Sequence, residues 1–241
     1  MLVAAAVCPH PPLLVPALAG DAAAETDALR ESSLTAVRSL LGFGDEAVDL
    51  VVVGTGPTPG TAQPDATGSL AGYGADLTVS LGRGPSAPIG GPTLPLSVTI
   101  GVWLLREAGY PGVVRARVVT ENATPKECAD LGARIAAFPT STALLVMGDG
   151  SARRTERAPG HYDPRAEPFD AEVAAALAAA DASALAALDP TLARELLAPG
   201  RAPWQILAGA VQTDGRPWKG QLLAEAAPYG VEYLVASWSP A

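Results

Sequence analysis

The chain of 241 residues is 49% hydrophobic, with only 5% aromatic residues and frequent alanine, so its helices are expected to pack closely through small side chains. Its formal net charge is −9, and its 16 basic residues are scattered along the chain, which argues against a nucleic-acid partner. No apolar run reaches the roughly 18 residues of a membrane-spanning helix, which argues against a membrane protein.

The first 150 residues alternate between apolar runs, which predict buried strands, and segments with apolar residues at helical spacing. In chain order we predict a strand over 2–7, a helix over 21–43, strands over 48–54 and 76–81, a helix over 94–110, a strand over 113–119, a helix over 124–138 and a strand over 142–150. Asp21 is the expected N-cap of the first helix, and Thr124 with Glu127 forms a capping box on the third. The Gly- and Pro-rich segments 55–68 and 82–92 predict irregular loops.

A helical block and two closing strands follow. The sequence predicts helices over 168–189, 190–200 and 202–212, and two strands within 220–238. Alternating β and α elements indicate an α/β fold. We therefore predict one domain over 1–241, with a central mixed, mostly parallel sheet flanked by helices.

His10 is one of only two histidines, and it stands between prolines at the exit of the first strand, in the stretch PHPP. Proline fixes its own φ angle and cannot donate to a β ladder, so Pro9 and Pro11 end the strand and hold the loop rigidly. A side chain held in this way has a defined direction. Two roles are open for His10: a place in a pocket, or a structural imidazole bonded to the backbone.

Two further loops follow buried strands, GTGPTPG (54–60) and GDGSARR (148–154). In an open α/β sheet, ligands bind outside the carboxyl ends of the strands. If the three strands are neighbours, their loops meet at one crevice. This crevice is the predicted binding site.

These loops, together with FDAEV (169–173) and YGVEYLVASW (229–238), make the whole chain similar to the catalytic (B) subunit superfamily of class III extradiol ring-cleavage dioxygenases. The resemblance implies one α/β domain with a non-haem Fe(II) site at one edge of the sheet. Two imidazoles and one carboxylate hold the iron in such a site, and positions are left for a catechol and for dioxygen. Members of this family often form oligomers, so a homo-oligomer is one expectation.

Only part of the ligand set that the resemblance implies has a counterpart in this chain. His10 matches the first metal ligand, and Glu232 is the best match to the carboxylate ligand. The loop 54–60 contains no histidine where the family has its second imidazole, and Ala152 stands where the family has its acid/base histidine. Loss of a proton-transfer histidine typically costs about 10² to 10⁴ in rate.

The crevice is expected to combine residues of the three loops with the polar segment that follows the last of them. These expected pocket residues are Pro9, Pro11, Thr55, Gly56, Asp149, Ser151, Arg154 and His161. Asp149 is either a ligand or a cap for backbone N–H groups of its loop. The arginines of 153–157 either bind an anionic ligand or pair with nearby acids such as Glu167.

Two hypotheses for the function follow. In the first, the chain is a divergent dioxygenase-like protein that has lost ring cleavage and binds a small molecule or a partner in the former active-site crevice. In the second, it is an atypical Fe(II)-dependent oxidoreductase whose ligand set is rebuilt from His10, His161 and a carboxylate. Fe(II) is a cofactor only in the second.

The two cysteines, Cys8 and Cys128, form no CxxC motif, and the first basic residue is Arg30, so the start lacks the basic region of a signal peptide. We therefore expect a reducing, cytoplasmic location. Cys8 stands two residues before His10. It is either a thiolate nucleophile paired with the imidazole or a small buried apolar residue.

Overall fold

The computed structural model describes residues 1–20, 23–42, 48–83 and 91–241, and the predicted cap Asp21 lies outside these ranges. The strands are β1 (Leu2–Cys8), β2 (Asp49–Thr55), β3 (Gly60–Thr61), β4 (Thr67–Ser69), β5 (Thr78–Ser80), β6 (Val114–Val119), β7 (Thr142–Met147), β8 (Trp218–Ala226) and β9 (Tyr233–Pro240). The helices are α1 (Pro16–Ala19), α2 (Ala23–Leu41), α3 (Leu96–Glu107), α4 (Pro125–Ala136), α5 (Ala166–Ala179), α6 (Ala182–Ala186), α7 (Pro190–Glu195) and α8 (Arg201–Asp214).

A seven-stranded mixed sheet forms the centre of the fold, in the order β3-β6-β2-β7-β1-β9-β8. Strands β6, β2, β7 and β1 run parallel, whereas β3, β9 and β8 pair antiparallel with their neighbours. This architecture confirms the predicted α/β class with a mostly parallel sheet between helices. Because β7 is the common neighbour of β1 and β2, the three predicted loops leave the same edge of the sheet.

Two hydrophobic cores lie on opposite faces of the sheet, and the central strands contribute to both. In β7, Leu144 and Val146 pack in the core shared with α4, α5 and α8, whereas Leu145 and Met147 pack in the core shared with α2 and α3. Burial on both faces explains why these strands are continuous apolar runs in the sequence. Among the described residues, no helix is both long enough and apolar enough to span a bilayer.

Helices α4 and α8 pack closely through glycine. A Cβ atom on Gly132 of α4 would lie 2.6 Å from the backbone nitrogen of Ala210 in α8, and a Cβ atom on Gly209 would lie 2.7 Å from the Cα of Ala129. Real Cβ atoms do not approach backbone atoms so closely. The close helix packing that the composition predicts therefore depends, at this crossing, on residues without side chains.

The predicted strand over 76–81 is shorter than expected and lies outside the central sheet. β5 pairs antiparallel with β4 in a separate two-stranded sheet, and β6 takes the position next to β2. Val79 of β5 is buried while Thr78 is exposed, which accounts for the alternation in the sequence. The alternation predicted a strand correctly, but it carried no information about the pairing partner.

The predicted single helix over 168–189 is wrong, because the segment forms two helices. Ala180 ends α5 in the left-handed region with φ 52°. The Asp181 side chain then accepts hydrogen bonds from the backbone N–H groups of Ser183 and Ala184, both at 3.0 Å, and caps α6. Asp181 was the available sequence signal, since the segment contains no glycine and no proline after Pro168.

Candidate functional site

The loops after β1 and β7 leave the sheet side by side. The backbone N–H of Gly148 donates to the carbonyl oxygen of Cys8 at 3.0 Å, which continues the pairing to the very end of β1. Parallel strands that end together bring the following residues to one place. His10 and the GDGSARR loop therefore share this edge, as the sequence predicts.

The loop after β2 leaves the sheet on the other side of β7 from the loop after β1. Its predicted pocket residues, Thr55 and Gly56, form hydrogen bonds away from His10. The carbonyl oxygen of Thr55 accepts a hydrogen bond from Ser97 Oγ at 2.7 Å, and the N–H of Gly56 donates to the carbonyl oxygen of Val119 at 3.0 Å. These bonds hold Thr55 and Gly56 to α3 and to the end of β6. The structure records no contact between either residue and His10 in the part of the chain that it describes.

His10 and Asp149 form a largely buried pair between the first and third loops. The backbone N–H of His10 donates to Asp149 Oδ1 at 2.7 Å, and the ring Nδ1 of His10 lies 3.3 Å from the same oxygen. The ring is close enough for charge attraction, but the geometry is not that of a hydrogen bond, so Nδ1 is buried without a hydrogen-bond partner among the described residues. Burial raises the pKa of the Asp149 carboxyl, opposed by the His10 ring and the His10 N–H. Asp149 thus accepts a hydrogen bond from a backbone N–H of the first loop, whereas the expected cap was to N–H groups of its own loop.

The other residues of the first loop are structural. Pro9 and Pro11 are buried on either side of His10, as expected of a rigid loop. The Cys8 thiol donates to the carbonyl oxygen of Ser33 at 3.8 Å, and burial raises the pKa of this thiol to about 12. Because only a thiolate is nucleophilic, the structure favours the buried apolar role for Cys8.

A cluster of charged and polar side chains lies beside this pair, and we call Ser151, Arg154, Asp170 and Glu232 the acid cluster. Nη1 of Arg154 lies 2.9 Å from Glu232 Oε2 and 3.5 Å from Asp170 Oδ2. Ser151 Oγ donates to Asp170 Oδ2 at 2.5 Å, and the Ser151 N–H donates to Asp170 Oδ1 at 2.8 Å. Both carboxyl groups are fully buried. The guanidinium group of Arg154 is within ion-pair distance of both of them.

Backbone hydrogen bonds build the acid cluster into the fold. The N–H of Gly150 donates to the carbonyl oxygen of Glu232, and the N–H of Glu232 donates to the carbonyl oxygen of Ser151, both at 2.8 Å. A Cβ atom on Gly150 would lie 2.7 Å from the Cβ of Glu232 and 2.9 Å from Asp170 Oδ1. The third loop therefore needs glycine at this position for the acids to approach.

The two acids of the cluster resist ionisation. Burial raises the pKa of Glu232 to about 7, the neighbouring Asp170 charge acts in the same direction, and Arg154 opposes both. Burial also raises the pKa of Asp170, against the hydrogen bonds from Ser151 and the charge of Arg154. Glu232 therefore titrates near neutral pH.

This titration predicts that the folded chain loses stability as the pH rises. The folded state holds a proton on Glu232 up to pH 7 or so, whereas the unfolded state releases it near the ordinary value of 4.5. The free energy of unfolding is therefore expected to fall by about 3 kcal/mol between these pH values. Urea unfolding curves across the range measure the change.

Glu232→Gln is the matched variant, because it keeps the shape and removes the ionisable group. Its unfolding free energy is expected to vary with pH by about 3 kcal/mol less than that of the parent chain over the same range. Equal pH dependence in the two proteins would contradict the assignment to Glu232.

The described residues do not fit an Fe(II) centre with three protein ligands. His10 faces Asp149, whereas Oε2 of Glu232 is held by the positive charge of Arg154. In the parts of the chain that the structure describes, no three His, Cys, Asp or Glu side chains group in a way that could hold a metal ion. The metal-ligand roles of His10 and Glu232 stay predictions.

His161, the second histidine, lies in the polar segment before α5. It is exposed, its φ is 57°, and its backbone N–H donates to the carbonyl oxygen of Ala158 at 2.9 Å. No described contact brings its ring to His10 or to the acid cluster. Ser151 and Arg154, in contrast, are both brought next to the candidate carboxylate Glu232.

Asp170 is the member of the acid cluster that the pocket prediction omitted. It lies in the first turns of α5, where it is fully buried, and it holds both the N–H and the hydroxyl of Ser151. Asp170 lies in the FDAEV segment, which is one of the segments that carry the family resemblance, so the sequence did offer a signal for it. Its contact with Ser151 depends on how α5 docks, which the residue pattern does not give.

A surface cavity of about 620 Å³ adjoins the acid cluster. Its lining includes Gly230, whose carbonyl oxygen accepts a hydrogen bond from the N–H of Arg154 at 3.1 Å. The other lining residues are Thr155, Glu156, Arg157, Ala227 and Tyr229. None of the residues that line this cavity belongs to the acid cluster or to the pair of His10 and Asp149.

Comparison with solved structures supports the fold. The chain is similar to the crystal structure of uncharacterized protein JW3007 from Escherichia coli K12, with a TM-score of 0.58 and 14% sequence identity. The match covers 98% of this chain and 99% of that chain, and at this identity it concerns the fold alone. No family model and no curated protein matches the sequence.

Proposed function

We propose that this chain is a divergent relative of the class III extradiol dioxygenases that binds a small hydroxyl-bearing molecule at the carboxyl edge of its sheet and does not cleave aromatic rings. The observation that carries the proposal is the contact of 2.9 Å between Arg154 Nη1 and Glu232 Oε2. Glu232 is the best candidate for the carboxylate ligand, and this contact pairs it with a cation of the protein itself. The fold and the resemblance described above support the rest.

The expected chemistry of the family needs groups that this site does not combine. Ring cleavage needs two imidazoles and one carboxylate on one metal ion, together with a group that transfers a proton. His10 is the one imidazole among the described residues of this edge, and Ala152 follows Ser151. No step through iron is therefore proposed.

Two unsatisfied polar atoms support ligand binding at the same edge. Glu232 Oε1 and His10 Nδ1 are buried without hydrogen-bond partners among the described residues. A buried polar atom left unpaired costs about 1 to 3 kcal/mol. A carboxylate oxygen accepts a hydrogen bond and an imidazole nitrogen accepts or donates one, so a ligand with hydroxyl groups suits both.

Calorimetric titration of the purified protein with catechol, in the absence of metal, tests this proposal. Saturable binding is expected, and His10→Ala is expected to weaken it about tenfold, the loss of roughly one hydrogen bond. His161→Ala is the matched control and is expected to leave the affinity unchanged. No binding of catechol, or an equal loss in both variants, would overturn the proposal.

A second titration, with Fe(II) under anaerobic conditions, separates the proposal from the rebuilt ligand set of His10, His161 and a carboxylate. The proposal expects no stoichiometric Fe(II) binding tighter than micromolar, and no oxygen uptake when catechol and air are added. Tight binding that both histidine variants abolish would establish the alternative. Ring-opened product at ordinary turnover would do the same.

We also infer a cytoplasmic protein. The two cysteines are buried and unpaired, as is usual for proteins of a reducing compartment.

A further inference from the structure

A second cavity lies at the opposite end of the sheet from β8, between β3, β6 and α4. Its volume is about 480 Å³, within the range of small-molecule sites. We call it the edge cavity, and the residues that matter for its chemistry are Arg117, Val119, Leu131, Arg134, Ile135 and Phe138. β2 and β7 separate it from β1 in the sheet, so it is distinct from the site described above.

We propose that the edge cavity binds a small aromatic carboxylate, with the carboxylate on Arg117 and Arg134 and the ring against the apolar wall. The proposal is independent of the proposed function. It rests on the charges of the cavity, on the composition of its walls and on its size.

The cavity contains two guanidinium groups without acidic partners. Neither Arg117 nor Arg134 forms an ion pair with a described residue, whereas their neighbour Arg115 lies 3.3 Å from Asp49. Arg117 is half-buried, and its one hydrogen bond runs from Nη1 to the carbonyl oxygen of Ala116 at 3.4 Å. A guanidinium has five N–H donors, so most of those of Arg117 are free for a ligand.

The local charge balance also favours an anion. Burial lowers the pKa of Arg117, and the positive charges of Arg115 and Arg134 add to this effect, with no acid acting in the opposite direction. Glu127 is the acid that lines the cavity. Its carboxylate Oε2 accepts hydrogen bonds from the N–H and the hydroxyl of Thr124, both at 2.8 Å, and is thereby committed to the capping box of α4.

The walls of the cavity indicate the rest of the ligand. Val119 and Ile135 are buried side chains that face the cavity, and Leu131 is partly buried beside them. The guanidinium carbon of Arg117 lies 5.7 Å from the centroid of the Phe138 ring, which holds the planar group over the ring. An inorganic anion would leave this apolar wall in contact with water, so a flat apolar body joined to a carboxylate fits better.

Calorimetric titration with 2-naphthoate at low salt tests the proposal. Single-site binding is expected, with an affinity that falls as sodium chloride is added. Arg117→Gln and Arg134→Gln are each expected to weaken binding about tenfold or more, because each removes a charge-assisted contact. Arg38→Gln is the matched control, since Arg38 is an exposed arginine of α2 outside the cavity.

The neutral amide of the same ring system, 2-naphthamide, separates charge recognition from apolar binding. It is expected to bind at least about tenfold more weakly than 2-naphthoate. Equal affinities for acid and amide, an unchanged affinity in Arg117→Gln, or an equal loss in Arg38→Gln would each overturn the proposal. None of these outcomes bears on catechol binding at the site beside His10 and Glu232, because the ligands and variants differ.

Discussion

At pH 8, the free energy of unfolding of an Arg154→Met variant is expected to be about 3 to 5 kcal/mol lower than that of the parent chain. Arg154 is the cation that contacts both buried acids of the acid cluster. Without it, Glu232 and Asp170 either stay charged where they are buried or take up protons against the bulk pH. Methionine keeps much of the side-chain length, so the loss reports on charge more than on packing.

The loss is expected to shrink by about 2 kcal/mol at pH 5, because Glu232, whose pKa is raised to about 7, is then protonated. Urea unfolding followed by tryptophan fluorescence at the two pH values measures both numbers. Arg157→Met is the control, since Arg157 is exposed and close by in sequence. A loss that does not vary with pH would mean that packing, and not charge, explains the effect.

A double variant, Arg154→Met with Glu232→Gln, sharpens this result. Because Gln carries no charge, the second change is expected to recover part of the stability lost at pH 8. The recovery measures the coupling between the two side chains. Strict additivity of the two single changes would contradict the ion pair.

The second large effect is expected at the crossing of α4 and α8. Gly132→Ala should lower the free energy of unfolding by about 2 to 3 kcal/mol, or the melting temperature by roughly 5 to 12 °C. Alanine gains about 1 kcal/mol of helix propensity over glycine. The clash outweighs this gain, because the new Cβ would lie 2.6 Å from the backbone nitrogen of Ala210, and a backbone atom cannot rotate away.

Thermal unfolding followed by circular dichroism measures this effect. Gly72→Ala is the matched control: Gly72 has no neighbouring atom within 4 Å of the new Cβ and no positive φ. Its melting temperature is expected to stay within about 2 °C of the parent value. A Gly132→Ala protein that melts at the parent temperature would show that the two helices separate at little cost.

Local sequence signals predicted the fold well where each signal acts on its own segment. The apolar runs of β1, β2 and β7 are strands buried on both faces. The Thr124–Glu127 capping box opens α4 as predicted. The break at Ala180 was missed because alanine favours helix, whereas this residue adopts a positive φ of 52°.

The candidate site was predictable in its location but not in its contacts. The strand exits placed His10 and Asp149 at the same edge, and the structure brings them into contact. The pairing of Arg154 with Glu232, in contrast, joins segments far apart in sequence. It depends on β9 docking next to β1, which no local pattern encodes.

The position of β9 also affects how the chain folds during synthesis. In chain order β1 precedes both of its partners in the sheet, and one of them, β9, follows every other described strand. Until β9 has been synthesised, β1 exposes unpaired backbone groups that can pair with other chains. A chain truncated before Tyr233 would keep this open edge permanently, and we expect it to aggregate.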